Sequence, residues 1–326
     1  MSHIKGEVMI TGAGGALSRK VIESLSQAFS LVLVDFRQRN DISGIPSYCV
    51  DYDKRGFEDI FRKHDISAVI HLGRMGGEES THRNRYNHNV LGTKRLLDLC
   101  CKYDISQVIV LSTYYVYGAS PYNASLISED QPLKASELTM DLVDTVELDN
   151  LASIYLWKYP ELNVTILRPC NIAGPGVMNS MSLLLQSKYA PVLAGFSPIM
   201  QFIHIDDMAK SIELAFRKNI PGVYNVSPGE FVAYQRAITQ SGCTRLYVPP
   251  LPESVPKRLS SLLGSKMWPS YLINFNKFPV VIDGSLFDKT FGFRADKSHD
   301  DIFRSYSNAK IVGAGSSPQV EKLQGG

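Results

Sequence analysis

The stretch Val8-Met9-Ile10-Thr11-Gly12-Ala13-Gly14-Gly15-Ala16-Leu17-Ser18 decides the fold. An apolar run enters a glycine-rich turn, and an amphipathic segment from Arg19 to Phe29 follows. That order reads as strand, tight loop and helix. A second apolar run, Leu31-Val32-Leu33-Val34, ends on Asp35. Strand, loop, helix, strand and terminal acid together make a dinucleotide-binding unit. Gly12 lets the chain turn sharply, and Gly15 has no side chain to keep a pyrophosphate away from the backbone. The N–H groups at the helix start point at the anion with the helix dipole behind them. Asp35 stands where a carboxylate accepts from ribose hydroxyls. Ser18 holds the third glycine position, where it packs less closely on the strand.

Working outward, Ser47-Tyr48-Cys49-Val50-Asp51 reads as a short third strand with Asp51 at its end, beside the path of an adenine ring. A turn-forming role for Asp51 is the alternative. Arg37 and Arg39 follow Asp35 and could hold a 2′-phosphate, but Asp35 repels one, so NAD is expected and NADP is the alternative. Phe57 to Lys63 reads as a helix. Ala68-Val69-Ile70-His71-Leu72 is a fourth strand, and Gly73-Arg74-Met75-Gly76-Gly77 is the loop that would face the cofactor. His82 and His88 read as loop or helix-surface residues, because no acid–histidine spacing supports a metal site. Asn89 to Lys102 is a helix, and Gln107-Val108-Ile109-Val110-Leu111 is a fifth strand ending on Ser112-Thr113. Alternating strands and helices of this length predict an α/β fold with a doubly wound parallel sheet, a Rossmann fold. Ligands bind such sheets outside the carboxyl ends of the strands, where Gly12, Asp35, Asp51, His71, Gly73 and Thr113 all fall.

The whole composition agrees with a globular chain. Its 326 residues can bury a sizeable core, and 44% hydrophobic with 20% charged residues is ordinary. A net charge of +2, not gathered into a basic run, points to no nucleic-acid partner. No apolar run approaches the ~20 residues of a membrane span, so no membrane partner is expected. The first strand begins almost at once, leaving no apolar targeting segment. Five cysteines without a C-x-x-C pair read as reduced thiols in a cytoplasmic protein, with Cys170 packed at a strand end rather than catalytic.

The chain also resembles a known family. Thr11-Gly12-Ala13-Gly14-Gly15, His71-Leu72-Gly73, Asn89-Val90-Leu91-Gly92-Thr93 and Ser112-Thr113-Tyr114-Tyr115-Val116-Tyr117-Gly118 are similar to motifs of the extended short-chain dehydrogenase/reductases. These are the nucleotide-sugar epimerases, dehydratases and reductases. Leu167-Arg168-Pro169-Cys170-Asn171-Ile172-Ala173-Gly174-Pro175, Gln201-Phe202-Ile203-His204-Ile205-Asp206-Asp207-Met208-Ala209 and Gly222-Val223-Tyr224-Asn225-Val226 continue the match, with Asp283 and Gly292-Phe293 near its end. The resemblance implies a cofactor set of Gly12, Gly14, Gly15, Ala16, Leu17, Asp35, Arg37, Asp51, Tyr52, Leu72, Gly73, Asn89, Ser112 and Pro169. It implies substrate contacts at Asn171 and Met200, and a sugar or nucleotide-sugar substrate. It also implies a homodimer paired through two helices, the second being Leu138 to Trp157.

The chemistry departs from the family. There, a Tyr-x-x-x-Lys pair moves the substrate proton: the phenolate takes it, and the lysine lowers the tyrosine pKa and holds the nicotinamide ribose. Counting back from Glu147, the lysine position is Val143 and the tyrosine position is Thr139. An alcohol is a far weaker acid than a phenol, and valine carries no charge, so this pair cannot run the family mechanism. Tyr306 and Lys310 carry the spacing by coincidence, at the start of a tail. Tyr114 and Tyr115 replace the Asp-Glu of the sugar 4,6-dehydratases, which disfavours their elimination. Met200 stands where epimerases often place a diphosphate-gripping arginine, leaving Lys257, Arg258 or Arg294 as remoter candidates.

Two readings follow. In the first, an NAD-dependent epimerase-like enzyme works on a sugar-like substrate with substitute acid/base residues: Thr113 with Tyr114 or Tyr115, or with Asp141 or Asp144. In the second, the chain binds the dinucleotide without catalysis, as a regulator or partner subunit. The expected division is a dinucleotide domain over 1–170, with 201–226 returning to it, a smaller substrate lobe over 171–308 and a mobile tail over 309–326. The lobe is expected to carry an adaptable wall at 176–200, with Met178, Met181 and Met200. His204 is expected to be a structural hydrogen bonder and Asp206 a helix cap. Pro249 to Pro252 and Trp268 to Tyr271 would form the outer side of the cleft.

Overall fold

The computed structural model describes residues 5–37, 42, 44–52, 55–76, 81–249 and 271–315. The apolar runs form the strands they predict. In chain order come β1 (Glu7–Thr11), α1 (Ala16–Leu25), β2 (Leu31–Asp35), β3 (Ser47–Cys49), α2 (Arg55–Lys63) and β4 (Ile66–His71). Then α3 (His82–Tyr86) passes through a π-helical turn, Asn87–Leu91, into α4 (Gly92–Lys102), and β5 (Gln107–Leu111) follows. The helix expected from Asn89 thus begins earlier, at His82, where Thr81 accepts from the Asn84 N–H as its cap.

The helix expected over Leu138 to Trp157 is broken. A short α5 (Ala135–Leu138) stops at Thr139, which is extended (φ −156°), and α6 (Val143–Lys158) begins after a 3-10 turn at Met140–Leu142. The Thr139 hydroxyl accepts from the Asp141 N–H, so this residue caps the turn. A β-branched residue that bonds its own backbone neighbour favours such a break.

Next come β6 (Asn163–Pro169), β7 (Asn171–Ala173), α7 (Ser180–Gln186), β8 (Tyr189–Leu193), β9 (Ile199–Met200), β10 (Phe202–His204), α8 (Ile205–Lys218) and β11 (Gly222–Val226). The central sheet has seven parallel strands in the order β11-β6-β5-β4-β1-β2-β3. Alternation along each strand feeds two cores. Val8, Ile10, Leu33 and Ile70 face α1 and α8, packing with Val21, Ile22, Met208 and Phe216. Met9, Val32, Val69 and Val108 face the other side, packing with Phe57, Leu96, Leu97 and Leu148. Both faces are covered, which is why the strands read as continuous apolar runs.

A third core fills the smaller lobe, with Met181, Leu184, Val192, Phe202, Tyr234, Phe303 and Tyr306. Met181 and Met200 are buried in it, and only Met178 is exposed, so the expected methionine wall is a core with one outlying residue. The helix His299–Gly315 continues past the point where the mobile tail was expected to begin. Tyr306 accounts for this: its hydroxyl donates to Ser182 and accepts from the Gly174 N–H. Lys310 Nζ donates to the carbonyls of Leu185 and Ser241 and to Cys243 Sγ. The Tyr306–Lys310 spacing therefore serves to pin a helix. Lys257, Arg258, Arg39 and Pro250 to Ser270 lie outside the described residues.

Beside the sheet, Arg168 and Asp149 form a bidentate ion pair (2.6 and 3.0 Å), at 4% and 0% exposure. Asp149 also accepts from the Ser112 hydroxyl (2.5 Å), and Arg168 donates to Tyr117 Oη (2.9 Å), which donates to Asn225. The pair ties α6 to β5, β6 and β11, so its integrity sets how the carboxyl ends of three strands align.

Candidate active site

The carboxyl ends of β1, β2, β4, β5 and β6 converge on one edge of the sheet. Gly12 has φ +69°, and a Cβ there would sit 2.5 Å from the Gly73 Cα, so the loops after β1 and β4 touch backbone to backbone. Gly73 is equally constrained, since a Cβ on it would collide with the Tyr52 hydroxyl. Ser18, in the third glycine position, donates to the Gly12 carbonyl (2.7 Å) and so braces the turn that a glycine would only permit. At the start of α1, Gly15 gives no side-chain cap and no acid lies in the first turn. Those N–H groups and the positive helix end suit an anion. Asp35 is buried and accepts from the Gly14 and Arg37 N–H groups at 2.9 and 2.8 Å, which keeps lone pairs on both oxygens for further donors.

His71, at the end of β4, is buried. Thr93 Oγ1 donates to the Asn89 carbonyl (2.5 Å), so it must accept from His71 Nε2 (2.9 Å), leaving Nδ1 to accept from Thr11 Oγ1 (2.6 Å). Burial, with His88 and Arg74 nearby, pushes its pKa down to about 3, so it is a neutral link between β1 and α4. Asn89 clamps the loop after β4: it accepts from the Met75 N–H (2.7 Å) and donates to the Met75 carbonyl (2.9 Å) and to Asp144 (2.6 Å). The π turn is what aims this side chain.

Several expected placements change. His88 is not on a surface: it is buried between Phe36 and Tyr52, 3.5 Å from Asp51. Tyr52 is wholly buried, so its ring supports the loops and does not present itself to a ligand. Met200 pairs with Val232 in a small antiparallel ribbon and lies in the lobe core. Asp206 does not cap α8; His204 Nδ1 accepts from the Asp206 N–H instead. Ser112, in the expected cofactor set, is buried with its hydroxyl on Asp149. Cys170 is buried at the end of β6 and burial pushes its thiol up, consistent with packing.

At the substrate side, Tyr114 and Tyr115 both donate to Asn171 Oδ1, at 3.0 and 3.2 Å, and Asn171 donates to the Gln201 carbonyl. Burial pushes both phenols up, so they are neutral donors near neutrality. Thr113, half-buried at the end of β5, accepts from the Tyr115 N–H. Around Thr139 and Val143, two arginines enter. Arg74 donates to Thr145 Oγ1 (2.6 Å) and lies in the field of Asp144, Asp149 and Tyr271. Arg85 approaches Asp144 (3.9 Å) and donates to the Asp141 carbonyl. Tyr271 stands against Tyr115 (ring centroids 5.6 Å) and shares a hydrogen bond with Ser180 (3.0 Å). Sequence reading put Arg74 in the loop facing the cofactor and Tyr271 on the cleft, but gave neither a task. Only the arginine in an otherwise glycine-rich strand-end loop was a signal.

A family model for the NAD dependent epimerase/dehydratase family matches residues 8–227, and the chain belongs to that family. An uncharacterized Mycobacterium tuberculosis protein is 24% identical over 269 residues, covering 78% of this chain and 69% of its own. A UDP-glucose 4-epimerase of Dictyostelium discoideum is 28% identical over 252 residues, covering 64% of this chain and 71% of its own. Among solved structures, MoeE5 in complex with UDP-glucuronic acid and NAD has a TM-score of 0.75 at 20% identity, covering 94% of this chain and all of that one. That likeness is one of fold, and it agrees with the Rossmann sheet and smaller lobe. Among the described residues no cluster of histidine, cysteine or acid could hold a metal ion, and no helix is long and apolar enough to cross a membrane.

Proposed function

We propose that this chain is an NAD-dependent enzyme acting on a nucleotide sugar or a related polyhydroxy substrate, with acid/base groups other than the family pair. The observation that carries it is the fit of one strand edge to a dinucleotide: an uncapped helix start, two glycines in backbone contact, and a buried Asp35 with lone pairs to spare. Gly14, Gly15, Ala16 and Leu17 would hold the pyrophosphate. Asp35, with Arg37, would hold the adenosine ribose, and Asp51 with the Tyr52 backbone would border the adenine. Leu72, Gly73, Asn89, Ser112 and Pro169 would line the nicotinamide half. When bound, the dinucleotide supplies hydride acceptance and return. Thr113 orients the substrate hydroxyl, while Tyr114 and Tyr115 position it through Asn171 as neutral donors. NADP is the alternative cofactor, disfavoured by the Asp35 carboxylate.

The test is incubation with a panel of UDP- and dTDP-sugars, following reduced-nicotinamide absorbance and product identity. Epimerised or dehydrated sugar supports the reading; a protein that holds NAD yet leaves every sugar unchanged overturns it. The second reading, a dinucleotide-binding regulator or partner subunit without turnover, is supported by the count from Glu147 that puts Thr139 and Val143 at the positions of the proton-moving pair. Gly12→Ala is expected to weaken NAD binding by at least ~10-fold, because a left-handed alanine costs roughly 1–2 kcal/mol before its Cβ meets Gly73. Isothermal titration would show it. Pairing of two copies through α6, whose outer side leaves Ile154 and Trp157 exposed, belongs to the same proposal and is read by light scattering. A reducing, cytoplasmic setting suits the five free cysteines.

A further inference from the structure

We propose that Tyr271 is the proton carrier of this site, with Ser180 and Arg74 as the groups that tune it. The proposal rests on the enzymatic reading above and names the residues that would take over from Thr139 and Val143. It begins from three segments far apart in sequence. Arg74 leaves the carboxyl end of β4, Ser180 opens α7, and Tyr271 precedes the helix Leu272–Phe275.

The geometry joins Tyr271 to Ser180 and anchors the Arg74 guanidinium on Thr145 of α6. Tyr271 packs edge-on against Tyr115 (5.6 Å) and Phe275 (6.4 Å), two residues along from Thr113 at the end of β5. Its hydroxyl is 3.0 Å from the Ser180 hydroxyl. Ser180 can donate in that bond, which favours a phenolate. Arg74 is held by Thr145, two residues beyond Val143, so its guanidinium arrives from β4 beside the helix that lost the lysine. Arg74 and Arg85 both act on Tyr271 in the direction a lysine would, lowering its pKa, as does Ser180. Burial and the Asp141 carboxylate act the other way, and burial is the largest influence, so the phenol stays above its ordinary value without a ligand. Tyr114 and Tyr115 are the other titratable groups facing it among the described residues. A hydroxyl donor, a phenol and a fixed cation are the parts that proton abstraction from an alcohol needs. Arginine keeps its charge where a buried lysine would be prone to lose it.

The step balances simply. In the ionised form of Tyr271, the phenolate oxygen takes the proton of a substrate hydroxyl and becomes a phenol, while the hydride on the same carbon leaves to the oxidised dinucleotide. The O–H and C–H bonds break and a C=O bond forms. Return of both to the carbonyl restores an alcohol.

Tyr271→Phe, Ser180→Ala and Arg74→Gln would be compared in the full-length chain, with circular dichroism and NAD content as folding checks. Tyr271→Phe is expected to lower kcat at least ~100-fold with NAD content unchanged. Arg74→Gln is expected to move the acid limb of the kcat/KM profile to higher pH, since the cation no longer favours the phenolate. Ser180→Ala should cost about tenfold in kcat and shift the same limb. Turnover of Tyr271→Phe within about threefold of the parent would overturn the assignment. A second readout does not need turnover. The tyrosinate absorbance that Tyr271→Phe removes should titrate about one unit higher in Arg74→Gln. An unmoved titration would overturn the pairing. If the parent converts no sugar, the enzymatic reading fails by itself and this titration still decides the pair.

Discussion

Asp149→Ala is expected to lower the free energy of unfolding by about 3–5 kcal/mol, because it leaves the Arg168 guanidinium buried without its partner. The pair is bidentate and buried, and Ser112 and Tyr117 are bonded to its two members. Removing one charge also strands the Ser112 hydroxyl. A substitution of both partners by apolar residues of similar size should recover much of the loss, since a buried ion pair itself adds little over a packed hydrophobic one. Urea unfolding of the single and double variants measures this. A single variant within about 1 kcal/mol of the parent would mean that the guanidinium finds water or another acid.

The second large effect is acid sensitivity centred on His71. Burial lowers its pKa from 6.5 to about 3 in the folded chain. Between those values the unfolded chain holds a proton that the folded chain refuses. Its contribution is therefore complete above about pH 6.5 and is lost as pH falls toward 3, at about 1.4 kcal/mol per unit. Between pH 6.5 and 4.5 that is roughly 2.3 kcal/mol. His88, His204 and His299 are lowered by burial as well and add in the same direction. His71→Gln should flatten the stability–pH slope by about one proton, read from urea midpoints across that range. An unchanged slope would show that His71 gains its proton without unfolding.

The legible parts of this molecule are those set by local periodicity. The apolar runs gave the strands of the parallel sheet, because strands covered on both faces must be apolar throughout, while their order in the sheet came only with the structure. Gly12 and Asp35 were legible because a turn and a strand end impose their residue types locally. Counting back from Glu147 puts Thr139 and Val143 at the positions of the family pair, but it says nothing of the groups proposed to act in its place. Arg74, Arg85, Ser180 and Tyr271 meet only in space, and no spacing links them. The Asp149 to Arg168 pair was hidden for the same reason, and so was the inward turn of His88 under Phe36. Met200 misled because a family position that faces substrate is, here, part of a two-stranded ribbon whose side chain enters the lobe core. The helix after 309 misled because glycine and serine are weak helix formers; tertiary bonds from Tyr306 and Lys310 overrode that preference.

Everything proposed about chemistry depends on the strand edge at Gly12 and Asp35 holding a dinucleotide. The most direct measurement is to denature the purified chain, release what it carries, and identify and quantify the nucleotide by mass spectrometry, then titrate any empty protein with NAD(H) and NADP(H). NAD recovered at close to one per chain, or taken up in preference to NADP, is the expected result. A site that is empty and ignores both dinucleotides would contradict the account.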